Sequence, residues 1–131
     1  MFLLGSWALA GEKVKIPKVV DQEVVGEWKV VKMGLDGKLE PVPEDRPIRF
    51  IFNADGKGAQ FKGERKKEIL WGADKEGVFA AQWDQPEGNG DAIAGSWAIT
   101  AEGLQLDVAE YGDGEGPPEE TFTLLLKRVD G

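Results

Sequence analysis

Carboxylates are the only side chains in this sequence suited to acid–base or metal chemistry. The 131 residues include no His and no Cys, which removes imidazole bases, thiolate nucleophiles and the usual zinc ligands together. Serine occurs only at Ser6 and Ser96, so a Ser-His-Asp apparatus cannot be built. Three carboxylate arrangements remain. In the stretch DQPEGNGD (84–91), Glu87, Asn89 and Asp91 alternate as oxygen ligands in the manner of a calcium loop. The glycine after the third ligand and the distal bidentate Glu are missing, so a solvated acidic turn is the expectation. Glu110 with Asp113 and Glu115 reads the same way. Asp84 and Asp107 would serve a glycosidase only by facing each other across a cleft, and both are expected to point outward. The sequence thus predicts a non-enzymatic protein with no catalytic residue, no metal and no cofactor.

Charge narrows the partners. Twenty-four acidic against sixteen basic residues give a net charge of −8, the wrong sign for neutralising phosphates, so no nucleic-acid partner is expected. The one basic run, Lys62-Gly63-Glu64-Arg65-Lys66-Lys67, reads as a soluble hairpin tip that discourages edge pairing; its other reading is a dock for an acidic partner. No stretch approaches the ~20 apolar residues of a membrane span. The opening MFLLGSWALA is apolar and ends in Ala8-Leu9-Ala10 without a basic flank. It reads as a signal-peptide remnant, which would imply export, as an extra strand or arm packed on the domain, or as a frayed terminus. Residues 1–23 are accordingly set apart as an N-terminal extension and 24–131 as the domain.

The elements that would position any site follow from alternation with period two and from Gly-containing turns. Strands are expected at about 25–34, 48–53, 59–63, 68–72, 78–83, 93–100, 104–109 and 121–129. Asp36-Gly37, the run 54–58, the run 74–77 and Ala101-Glu102-Gly103 supply turns, where Gly adopts the positive φ that tight hairpins demand. Only 13–25 leaves room for a short helix, and Pro17 opposes it. Eight consecutive strands with short links predict an all-β, up-and-down antiparallel barrel. Eight is the number at which such a sheet closes and its interior either fills with side chains or holds one small ligand. The inward set is Phe50, Phe52, Phe61, Trp71, Phe79, Trp83, Trp97, Leu106 and Phe122. These residues either fill a solid core or line an apolar pocket.

Three of the five tryptophans follow a Gly at two positions' distance: Gly5-Ser6-Trp7, Gly26-Glu27-Trp28 and Gly95-Ser96-Trp97. Gly26-Glu27-Trp28 resembles the Gly-x-Trp signature of lipocalins. With Asp36-Gly37-Lys38, the Phe-rich 50–58, the hairpin 95–106 and the terminal 124–128, the order of motifs resembles small bacterial lipocalin-like domains of the planctomycete type. The resemblance spans about 24–129. It implies that Trp28 plugs one barrel end, that Arg128 lies across its indole, and that Gly26 belongs to the same plug. It implies no catalytic residue. Gly95 is expected to let an indole pack over its backbone. The segment GSWALAGEKVKI also aligns with GSWAITAEGLQL, as if an extra hairpin preceded the barrel. The functional expectation is a binding protein for a small hydrophobic molecule in the barrel. The alternative is a module of the peptidase-inhibitor kind that engages another protein through its loops or N-terminal arm.

Overall fold

The computed structural model describes residues 14–35, 38–83, 91–112 and 120–129. Among the described residues nine strands are present: β1 (Gly26–Gly34), β2 (Glu40–Pro41), β3 (Ile48–Phe52), β4 (Lys57–Lys62), β5 (Arg65–Ala73), β6 (Val78–Trp83), β7 (Ala92–Thr100), β8 (Gly103–Tyr111) and β9 (Glu120–Arg128). Each long strand pairs antiparallel with the next, and β9 returns to β1 through Trp28↔Arg128 to Gly34↔Thr123. The result is a closed eight-stranded up-and-down barrel. Closure leaves the long strands with no free edge to recruit another chain. The two-residue β2 adds itself to the far end of β1, at Lys32↔Pro41 and Met33↔Glu40. The proline-rich connector hid it in the sequence, and Pro41 is tolerated because β2 is an outer fragment with one partner. Among the described residues no helix is long and apolar enough to cross a membrane.

Alternation sorts side chains to two faces. Trp28 and Val30, Phe50 and Phe52, Ile69, Trp71 and Ala73, Phe79 and Ala81, Ile93, Leu104, Leu106 and Val108, and Leu124 and Leu126 point inward and form one buried cluster. A bulge between Val30 and Lys32 of β1 shifts the register. Met33 then lies opposite inward Leu124 and faces the barrel interior, where unbroken alternation would have turned it out. On the outer face Arg49 pairs with Glu27 and lies 4.6 Å over the Phe61 ring.

The two barrel ends are built differently. At one end, hairpin turns share a plan: Asn53 to Gly56, Asp74 to Gly77 and Thr100 to Gly103, each closed by a positive-φ glycine with φ of 84°, 90° and 136°. A tryptophan from the second strand onward roofs two of them. Trp71 donates its backbone N–H to Gly56 O (2.9 Å) and its indole N–H to Asn53 O (3.0 Å). Trp97 repeats this on Gly77 O (2.8 Å) and Asp74 O (2.9 Å). A large apolar ring with one donor at its tip suits such a position, because burial of the ring and satisfaction of a turn carbonyl coincide. Trp28 completes the set by donating to Val24 O at 2.9 Å.

Residues 14–24 run along the outside of the barrel and finish at this end. Val14 and Ile16 pack on the outside of the barrel over Ala80, Ala92, Ala94, Ala109 and Tyr111. Burial beneath them pushes the Tyr111 phenol above its ordinary pKa of 10.0. The chain then crosses β5, where Gly72 leaves room for the Pro17 carbonyl. A single parallel bridge joins Val20 to Ala73, and fully buried Val24 caps the core.

Candidate functional site

The opposite end is where β1, β4, β6 and β8 finish and β3, β5, β7 and β9 begin, and the interior there is not filled. A cavity of about 320 Å³ opens among residues of β1, β3, β4, β6, β7, β8 and β9. Its walls are Ile48 and Phe50 from β3, Trp83 from β6, Ile93 from β7, and Phe122 and Leu124 from β9. Met33, with Leu35 just beyond β1, lies at the rim; they are 37% and 47% exposed. Below the cavity the rings of Phe50 and Phe52 stack at 5.5 Å. Phe52 in turn meets Trp71 at 4.8 Å and Phe79 at 5.6 Å. The interior is therefore solid toward the tryptophan-roofed end and hollow toward the mouth.

Polar groups enter this apolar cup at defined places. Gln60 of β4 is only 7% exposed, and its Oε1 accepts the Trp83 indole N–H at 2.8 Å. An indole can only donate, so this bond fixes which end of the amide is oxygen. No hydrogen bond among the described residues engages the Gln60 Nε2. Lys62, two positions on, continues the inward phase of β4 at the rim. Glu110 of β8 and Glu120 of β9 are cross-strand partners, and both line the cavity.

Several sequence expectations change place. Of the nine residues expected to face the interior, Phe50, Trp83 and Phe122 do line the cup. Phe52, Trp71, Phe79 and Leu106 are buried in the solid half, and Trp97 sits at the roofed end against the Asp74 turn. Phe61 is a correction: it pairs with Arg49 on the outer face. The inward positions of β4 are Gly58, Gln60 and Lys62, which no apolar pattern marks. Gly95 is another: the close neighbour that forbids a side chain there is the β8 backbone at Asp107 and Val108, not an indole. Asp107 is on the outer face, bonded to Gln105 and Thr123, and does not line the cup. The expectations placed on Trp7, Asp36-Gly37, Asp84, Glu87, Asn89, Asp113 and Glu115 lie outside the described residues. Among the described residues no three acidic groups are gathered to hold a metal ion. What sequence reading passed over was Gln60 and Glu120, and the inward phase of Lys62 and Glu110, which the sequence reads as a hairpin tip and a solvated acidic turn. The available signal was phase: Glu120 precedes Phe122 by two, and Glu110 follows Val108 by two.

At the other end Arg128 lies 4.2 Å over the Trp28 ring and donates to Val25 O at 2.8 Å and Glu23 O at 3.0 Å. Gly26 has φ of 139°, and a β-carbon there would collide with the Arg128 guanidinium. The Gly, the Trp and the Arg are thus one device: the glycine clears the space through which the guanidinium reaches the indole and the incoming chain. Compared with protein-family models, with curated proteins and with solved structures, the chain finds no match.

Proposed function

We propose that this protein is a lipocalin-like, non-enzymatic binding protein that holds one small hydrophobic molecule in the mouth of its barrel. The observation that carries the reading is the cup: about 320 Å³, walled by Phe50, Trp83, Ile93, Phe122 and Leu124, with a single oriented amide inside. Small-molecule sites combine an apolar lining with a few fixed polar groups in this way, and the volume lies at the low end of their roughly 300–1,000 Å³ range. The stacked Phe50 and Phe52 rings close its floor, so the occupant is compact or short-chained; a long acyl chain would have to displace the core. The plug of Gly26, Trp28 and Arg128 supports the lipocalin-like part of the reading.

Hydrolysis by a carboxylate pair is not favoured. Glu110 and Glu120, the two carboxylates that line the cup, share one wall, whereas a glycosidase needs its pair on either side of the scissile bond. Engagement of another protein through an N-terminal arm gains nothing from residues 14–24, whose Val14 and Val24 are already buried in the domain.

The test is calorimetric titration with 1-octanol, repeated on Met33→Trp. Met33 is 37% exposed, so the larger ring fills the mouth without entering the packed core. Binding should weaken at least tenfold while the unfolding free energy stays within about 0.5 kcal/mol of the parent. Undiminished binding to the variant would place the ligand elsewhere.

A further inference from the structure

We infer that the ligand of the mouth is a cation: a small amphipathic amine whose protonated nitrogen sits at Glu110 and Glu120 while its apolar body occupies the cup. This rests on the cup being a binding site and specifies what enters it.

Glu110 and Glu120 stand directly opposite each other across the β8–β9 ladder, which sets their β-carbons about 5 Å apart. They face inward with Ile93, the partner of Glu110 on the other side. Like charges so placed repel, and among the described residues neither carboxylate has an ion-pair partner. Lys62 lies on β4, four strands round the eight-membered ring from β8, on the far wall. Arg49, the best-placed guanidinium of the β1–β3 region, is taken up outside by Glu27. A cation supplied from solution would relieve the repulsion that the protein leaves standing.

Two further observations point the same way. The sequence joining β6 to β7 and β8 to β9 carries Asp84, Glu87, Asp91, Asp113, Glu115 and Glu119 and no Lys or Arg. With a net charge of −8, the molecule as a whole draws cations toward it. On the opposite wall Gln60, 7% exposed, lines the cup. Its amide nitrogen carries N–H donors, so an oxygen or ring-nitrogen acceptor on the ligand body would find a donor there. Aromatic faces of Phe50, Trp83 and Phe122 complete a lining that tolerates an organic ammonium better than a bare metal ion.

The experiment compares three probes sharing one chain at pH 7: octylamine, 1-octanol and octanoate, titrated by calorimetry into the full-length protein and into Glu110→Gln and Glu120→Gln. Octylamine should bind roughly tenfold tighter than octanol, with octanoate weakest. Each Gln variant should narrow the preference for octylamine over octanol by about three- to tenfold, and added salt should erode that preference in the parent. Both variants are conservative and lie at the rim, so folding is preserved. If octanol binds as tightly as octylamine, or octanoate binds best, the cation inference fails while the cup survives. If none of the three binds, the cup reading fails and the inference falls with it.

Discussion

Replacing Trp28 by Ala should lower the unfolding free energy by about 3–5 kcal/mol, the usual cost of deleting a buried Trp. The residue is 3% exposed, and three separate losses combine at it. The ring leaves a void among Val24, Val30 and the neighbouring core. The Val24 carbonyl loses its indole donor. The Arg128 guanidinium, 4.2 Å above the ring, loses a cation–π contact contributing roughly 0.5–2 kcal/mol. Because Trp28 is paired with Arg128 across β1 and β9, the damage falls on the seam that closes the ring of strands. A denaturant titration measures it. A loss below about 1 kcal/mol would mean that Trp28 plugs nothing.

A second large effect is expected at Trp71. It is 1% exposed and touches Phe52 and Phe79. Its indole N–H serves Asn53 O at 3.0 Å and Lys57 O at 3.2 Å. Trp71→Ala should again cost about 3–5 kcal/mol. Trp71→Phe keeps much of the ring packing but leaves a turn carbonyl without its donor, so it should cost less, about 1–2 kcal/mol. The comparison separates ring from hydrogen bond. Trp71 does not line the cup, so the Phe variant should bind octanol as the parent does. A matching fall in octanol affinity would mean that the two halves of the interior are one site.

That division between halves explains what could be read from the sequence. Period-two alternation in β8 and β9 is strong because their inward residues are large and most of their outward ones polar. Gly56, Gly77 and Gly103 mark the turns. The number of long strands and their closure were therefore legible. Strand β5 runs from Arg65 to Ala73, longer than expected at its start, because its first four residues are exposed and charged and carry no apolar signal. Strand β4 misled for the opposite reason. Its most apolar side chain, Phe61, is outside because Arg49 covers it there, while its interior positions hold Gly58 and Gln60. The arm at 14–24 was illegible because it is held by scattered contacts at Val14, Val20 and Val24, not by a repeating pattern.

The polar side of the cup escaped notice on the same principle. Apolar periodicity finds positions where water is expelled, and it finds them well at Phe50 and Phe122. A binding site needs polar groups at inward positions, where the pattern breaks. Gln60, Lys62, Glu110 and Glu120 look like strand ends or surface when read singly. Only the register of the closed barrel brings Glu110 beside Glu120 and sets Lys62 on the far wall. The hypothetical carboxylate pair Asp84 and Asp107 had no such register behind it, and Asp107 instead bonds Thr123 at 2.6 Å on the outer face.

The account turns on where a ligand sits, and the tryptophans report this directly. Each indole N–H gives its own nuclear magnetic resonance signal, and Trp83 is the one whose partner, Gln60, lines the cup. On titration with 1-octanol, the Trp83 indole and the Gln60 side-chain amide should shift together and saturate, while the indoles of Trp28, Trp71 and Trp97 stay in place. Movement at Trp28 or Trp97 with Trp83 silent would put the binding site at the roofed end and contradict the proposal.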